Sequence, residues 1–276
     1  MKNFEGRVAA ITGAGSGIGR ALAIDLARRG AHLALSDIDE VGLAGTVANC
    51  EGTGVKVTSQ RLDVADRDAV FAWADQVVGE HGQANLVINN AGVAVAANIE
   101  SVSYDDFEWL MNINFWGVVH GTKAFLPHLK ATRDGHIVNI SSVFGLISVP
   151  TQGTYNAAKF AVRGFTEALR MELDMDKSGV SATCVHPGGI KTNIARNARM
   201  DDTVAAIAGS VEAAADEFDK IAKTTPEKAA KVILDGVRRN KRRVLIGADA
   251  KAINAFARLP AVVVQRAIVL GAKRRR

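Results

Sequence analysis

Thr12-Gly13-Ala14-Gly15-Ser16-Gly17-Ile18-Gly19 stands between an apolar, β-branched run at 8–12 and the first helical pattern of the chain. Glycines at alternate positions let the backbone turn sharply and pass close to a bound group. The free amides at the start of the following helix, reinforced by its dipole, favour negative charge such as a pyrophosphate. The spacing departs from G-x-G-x-x-G, because Ile18 and Arg20 fall where a third glycine is needed, and fits T-G-x-x-x-G-x-G instead.

Further along, short apolar runs at 33–36, 55–60, 86–89, 136–140, 180–185 and 244–246 alternate with longer helical patterns. Continuous apolar strands joined through helices predict a parallel sheet covered on both faces, since each parallel crossover needs a helix to return the chain. The expected class is α/β: a doubly wound, Rossmann-type, seven-stranded parallel sheet in a single domain over residues 1–248. The glycine turn then lies at the carboxyl edge of the sheet, where such folds open a ligand crevice. Asp37 ends the second strand, 18 residues after Gly19, where a carboxylate can accept from ribose hydroxyls. It would repel a 2′-phosphate, and neither Ser16 nor Ile38 supplies a cation to receive one, so NAD is favoured over NADP. A helix-capping role is the alternative for Asp37.

The 276 residues suffice for one large core, and 26 glycines against 5 prolines fit many tight strand-to-helix turns. Cys50 and Cys184 have no second Cys or His at metal spacing, so no metal site is expected, and a reduced, cytoplasmic setting is. Residues 1–6 carry no signal-peptide stretch, and no run is apolar enough to span a bilayer. The net charge of +5 is an uneven sum: residues 1–237 hold 22 Lys and Arg against 28 Asp and Glu, whereas residues 238–276 hold twelve cations against Asp249 alone. The basic character belongs to the tail.

Tyr155 and Lys159, four apart in a helical pattern at 155–173, share one helix face. A neighbouring ammonium lowers a phenol from its ordinary pKa of about 10 by roughly one to three units, which turns tyrosine into a usable proton-transfer group. Thirteen residues earlier, Ser142 follows the 136–140 strand, where its hydroxyl could hydrogen-bond a developing alkoxide; ending the strand or capping a turn is the plainer role for Ser141 and Ser142.

In this order the glycine turn, Asp37, Asp63-Val64, Asn89-Asn90-Ala91-Gly92, Asn114, Ser142, Tyr155 with Lys159, and Pro187-Gly188 make the chain resemble the classical short-chain dehydrogenases/reductases, from Gly6 to about Gly247. The resemblance implies hydride transfer between a nicotinamide and a small-molecule alcohol or carbonyl. It implies that Asp63 and Val64 contact adenine, that Asn90, Ala91 and Gly92 line the cofactor, and that Pro187, Gly188, Ile190 and Thr192 hold the nicotinamide side. It also implies a catalytic tetrad of Asn114, Ser142, Tyr155 and Lys159, with Asn114 anchoring a proton-relay water. The family often forms tetramers. Asn has poor helix propensity, and a bend in the predicted 105–126 helix is the other reading of Asn114.

Segments 93–97, 143–149 and 189–225 are expected to line the substrate pocket; they are largely apolar, which predicts a lipophilic secondary alcohol or ketone. Residues 189–225 read as a substrate lid or as a surface insertion. Apolar residues on more than one stripe of the 105–126 and 155–173 helices predict burial in a homodimer or homotetramer. The basic amphipathic extension at 249–276 is open to three readings: peripheral contact of 251–276 with anionic lipid, a helix docked on the core, or a subunit contact. Nucleic-acid binding is not expected, for want of an aromatic platform. The rival to an enzyme is a dinucleotide-sensing or membrane-docked interaction protein of the same fold, which would need the glycine turn and Asp37 but not Tyr155 and Lys159.

Overall fold

The computed structural model describes residues 1–273; Arg274, Arg275 and Arg276 of the expected basic tail, and the side chains of Ile207, Ala208 and Lys273, lie outside that description. The chain runs β1 (Val8–Thr12), α1 (Gly17–Arg28), β2 (His32–Asp37), α2 (Glu40–Cys50), β3 (Val57–Arg61), α3 (Arg67–His81), β4 (Leu86–Asn89) and β5 (Val95–Ala96). It continues through α4 (Tyr104–Met111), α5 (Gly117–Thr132), β6 (Gly135–Ile140), α6 (Gly153–Asp176), β7 (Val180–Pro187), β8 (Arg199–Met200), α7 (Asp202–Ala208) and α8 (Val211–Ile221). The last elements are α9 (Pro226–Arg238), β9 (Arg243–Ile246), α10 (Ala248–Phe256) and α11 (Ala261–Lys273).

Seven strands form one parallel sheet in the order β3-β2-β1-β4-β6-β7-β9, with the order reversing between β1 and β4. Alternation along each strand divides the core in two. Ala9, Ile11, Leu33, Leu35 and Ile88 pack beneath α1 and α9, while Val8, Ala10, Val87 and Ile137 meet Trp73 of α3, Phe125 of α5 and Leu169 of α6. The expected doubly wound class is the one observed. β3 starts two residues later than its apolar run predicts, because the Lys56 amide donates to the His32 ring at 2.9 Å and the regular ladder begins at Val57.

One departure from the predicted helices bears on the site. The 105–126 pattern is not one regular helix: a π-helical turn, Asn112–Trp116, separates α4 from α5. Such widened turns displace the backbone and recur at functional sites. Most of the apolar surplus on these helices is covered inside the chain, including Leu110, Val118, Phe125, Val162 and Leu173; Phe107, Trp116, Phe160, Met171 and Met175 remain exposed.

A buried polar ladder ties the sheet to the helices behind it. Asn89 of β4 lies opposite Asn139 of β6 and donates to its side-chain oxygen at 2.8 Å; Asn139 donates to Thr166 of α6 at 3.0 Å. A Cβ at Gly121 of α5 would collide with Asn89, so glycine there lets the helix seat on the ladder.

At the chain's end, α11 rests on the body through buried Val264 and exposes Val262, Val263, Val269 and Leu270, with Arg266 between them on the wheel. Among the described residues no helix is long and apolar enough to cross a membrane.

His136 of β6 and His186 of β7 are buried, and burial pushes them down to about 3 and about 4. Thr183 gives its proton to the Lys241 carbonyl, so its hydroxyl accepts from His136 Nε2–H at 2.8 Å and the ring is neutral. The unfolded chain, titrating near 6.5, binds more protons in acid. The stabilisation from keeping both rings neutral is therefore complete above about pH 6.5 and is lost as the pH falls through the two folded values. Urea unfolding from pH 7 to pH 4 should show a steeper loss of stability in the parent than in His136→Asn; equal slopes would contradict this.

Candidate active site

The carboxyl ends of β1, β4, β6 and β7 converge on one cleft. At its floor, Gly13 and Gly17 take left-handed φ values of 65° and 51°. A Cβ on Gly13 would come within 2.8 Å of the Ala91 backbone, and one on Gly19 would strike the Gly13 carbonyl. The turn therefore closes only with glycine at these positions. Helices α2, α3, α4, α7, α8 and α9 each carry an N-cap side chain that accepts a backbone amide. α1 does not: Ser16 is extended and its side chain makes no capping bond. This leaves the first-turn amides of α1 available to an external anion, which fits the pyrophosphate of a dinucleotide.

Asp37 sits at the rim of this turn and accepts from the Gly15 amide at 2.7 Å and from the Asp39 amide at 3.0 Å. The cap of α2 is Asp39, whose carboxylate accepts from Gly42, so Asp37 is not the helix cap. Arg20 is turned inward, donating to the carbonyls of Gly15 and Gly42 and to Thr46 Oγ1. Asp63 stabilises the turn before α3 through the Ala65 amide at 2.9 Å, and Val64 is buried beside it, its carbonyl meeting His120.

Asn90 and Ala91 join the second wall. Their amides donate to Thr12 Oγ1 at 3.0 and 3.1 Å, and the Asn90 carboxamide donates to the carbonyls of Thr12 and Gly13. Thr12 thus locks the end of β4 to the glycine turn; it stood in the motif, but only its hydroxyl geometry reveals this role. Asn114, in the π-helical turn, is fully buried and gives both ends of its carboxamide to the Val93 backbone at 2.8 Å. Its side chain acts as a clamp on the loop after Gly92.

The third wall holds the ionisable groups. Lys159 is buried, donates to the Ile140 carbonyl at 3.1 Å and stands 5.5 Å from the centre of the Tyr155 ring. A Cβ on Gly92 would lie 3.2 Å from Asn114 Oδ1 and 3.6 Å from Lys159 Nζ, which places all three around one point. Ser142 accepts from the Phe144 amide at 3.1 Å and starts a one-turn 3-10 helix, so it caps a turn and also faces Tyr155. Burial pushes the Tyr155 phenol up to about 12, opposed by the neighbouring Ser142 hydroxyl, and pushes Lys159 down to about 8. In the protein alone burial dominates the Tyr155 phenol, with the Lys159 ammonium 5.5 Å from its ring centre. His186 Nδ1 donates to the Ser142 carbonyl at 2.8 Å and fixes the backbone behind that hydroxyl.

The fourth wall is the turn after β7. Ile190 is buried, and the Thr192 methyl lies 3.0 Å from where a Cβ on Gly17 would stand. Pro187 and Gly188 precede them. The segment that follows is clasped rather than free: β8 pairs with β5, Lys191 donates to the Thr224 carbonyl at 3.0 Å, and Arg199 pairs with Asp106 at 2.7 Å while lying 3.6 Å over the Trp109 ring. Arg196 pairs with Asp216 and Asp219. Asp249, at the start of α10, accepts from the Gly189 amide at 2.7 Å. Sequence reasoning counted it without assigning it a place; its signal was being the single acid in the basic tail.

Comparison with known proteins adds to this geometry. Residues 7–203 match the short chain dehydrogenase family. SadH of Mycobacterium tuberculosis, named as an oxidoreductase, is 53% identical over 272 residues, covering 98% of this chain and 97% of its own. Estradiol 17-beta-dehydrogenase 11 of Macaca fascicularis is 36% identical over 197 residues, 71% of this chain and 66% of that protein. The crystal structure of a short-chain dehydrogenase/reductase from Burkholderia phymatum in complex with NAD superposes with a TM-score of 0.84 at 34% identity, covering 93% of this chain and 94% of that one.

Proposed function

The chain belongs to the short-chain dehydrogenase/reductase family, an oxidoreductase family with nicotinamide dinucleotide cofactors, and we propose that it interconverts a lipophilic secondary alcohol and its ketone with NAD. The observation that carries this reading is the meeting of Tyr155, Ser142 and buried Lys159 at the cleft opposite the uncapped start of α1. When bound, the nicotinamide accepts a hydride from the alcohol carbon or returns it to the carbonyl.

The chain's own residues supply the rest. The amides that open α1 hold the pyrophosphate, and Asp37 receives the adenosine ribose hydroxyls. Asp63, Val64, Asn90, Ala91 and Gly92 line the adenine and central part of the cofactor, and Pro187, Gly188, Ile190 and Thr192 its nicotinamide end. Ser142 donates to the substrate oxygen, and Tyr155 takes its proton in oxidation or returns it in reduction. Lys159, with no carboxylate pairing it, directs its positive charge to the phenolate as that forms. Asn114 keeps Val93, and with it the Gly92 corner, closed against Lys159.

Specificity has two supports. Asp37 offers negative charge at the ribose end, and Arg20, committed to the Gly15 and Gly42 carbonyls, is not free to pair with a 2′-phosphate. On the substrate side, Arg199 and Arg196 are neutralised by aspartates, so neither is poised for a substrate carboxylate. The Phe144 and Tyr155 rings meet in a T-shaped contact at a centroid distance of 6.1 Å, which puts an apolar side chain next to the tyrosine. A dinucleotide sensor would bind through the same turn yet have no chemical need for the Tyr155, Lys159 and Ser142 group.

A panel of alcohols followed by NADH absorbance should show lipophilic secondary alcohols outperforming small hydroxy acids. Tyr155→Phe should lower kcat by about 10²- to 10⁴-fold while NAD still binds. Equal rates in parent and variant would remove the tyrosine from the mechanism, and binding without turnover in the parent would favour the sensor. For the cofactor, kcat/KM should favour NAD over NADP in the parent, and Asp37→Ser should erode that ratio by about tenfold or more; an NADP preference in the parent would reverse the assignment.

A further inference from the structure

We propose that Asp249 is a positioning residue for the nicotinamide end of the site, and that the C-terminal extension which carries it is a working wall of the cleft rather than an appendage. The inference rests on the reading of the cleft as a dinucleotide site.

Residues 238–276 contain twelve cations and this one acid. An aspartate in the first turn of a helix commonly interacts with that helix's own free amides. Asp249 does something else: the N-cap of α10 is Gly247, which has no side chain to cap with, and the Asp249 carboxylate reaches across to the Gly189 amide, sixty residues away in the chain, at 2.7 Å. The surroundings are shaped for that contact. A Cβ on Gly188 or on Gly247 would collide with the Asp249 carboxylate, and Gly247 has a left-handed φ of 97° that a side chain would resist.

The turn held in this way is gripped from its other side as well. A Cβ on Gly189 would come within 3.0 Å of the Ala222 backbone, the Thr224 amide donates to the Gly189 carbonyl at 3.3 Å, and the Gly188 amide donates to the Ile246 carbonyl at 3.0 Å. Gly189 is therefore the point where β7, the far end of the 189–225 segment and the C-terminal extension meet. Three residues on, Thr192 packs over Gly17 of the glycine turn. Releasing the Gly189 amide lets that end of the cleft move away from the glycine turn, with no group lost from the reacting centre. α10 also packs against the Val143–Gly145 turn that follows Ser142, so the same element supports two walls.

Asp249→Ala and Asp249→Asn separate this role from a general contribution to folding. Asparagine keeps an oxygen that can accept from the Gly189 amide, whereas alanine keeps none. In the cofactor-free protein, amide hydrogen exchange of residues 188–192 and 222–226 should quicken about tenfold in Asp249→Ala and stay near the parent rate in Asp249→Asn. With NAD, Asp249→Ala should raise the KM for the dinucleotide about tenfold, with a smaller change in kcat, and asparagine should restore most of it. Unchanged exchange in Asp249→Ala would overturn the proposal. So would an asparagine variant as loosened as the alanine one, or a uniform fall in thermal stability with local exchange and KM unchanged. The exchange measurement needs no turnover, so an inactive parent would count against the proposed reaction while exchange still decided the role of Asp249.

Discussion

Burying the Lys159 ammonium beside the Tyr155 phenol is the constraint on which the rest of the site depends. Burial alone works against both groups, pushing the phenol up to about 12 and the ammonium down to about 8. A phenol at that value is not suited to proton transfer near neutrality in isolation. A phenolate forming next to the ammonium repays part of both costs, so the pair has a use together that neither has apart. The sheet makes this feasible: the Ile140 carbonyl, at the end of β6, accepts from the ammonium, and the Asn89–Asn139–Thr166 ladder seats α6 against the strands that carry Ser142.

The sheet and its order of elements were legible because buried parallel strands are written as continuous apolar runs and their crossovers as helical periods. The glycine turn and the Tyr155–Lys159 spacing were legible for the same local reason: each is a short stretch whose geometry is set within one turn of chain. What local patterns could not show were contacts made across long separations. Asn114 sits in a predicted helix for which a bend at this residue was one reading, and the π-helical turn explains how its carboxamide reaches Val93. Asp37 could have capped α2, and that reading falls because Asp39, two residues on, takes the cap. Neighbouring charge is visible in a spacing of four, whereas the burial that raises Tyr155 is not.

The same distinction applies to the chain's end and to the segment from 189 to 225. Composition made the end a basic tail and the segment a loose stretch. In the fold, Arg199 ties that segment to α4, Arg196 and Thr224 close it on itself through α8 and the turn after β7, and Asp249 brings the tail back to the cleft. Two cations of that segment, Arg196 and Arg199, are committed to internal ion pairs.

The most direct test of the account is the pH dependence of kcat/KM for alcohol oxidation in the parent and in Lys159→Gln. Oxidation needs the Tyr155 phenolate, so kcat/KM should rise with pH, and the ionisation controlling that rise belongs to the free enzyme. If the ammonium draws the phenol down from the value that burial imposes, removing the charge must move the rise by about one unit or more toward higher pH. A rise at the same pH in both proteins would show that Lys159 does not set the ionisation of Tyr155, and would contradict the central claim.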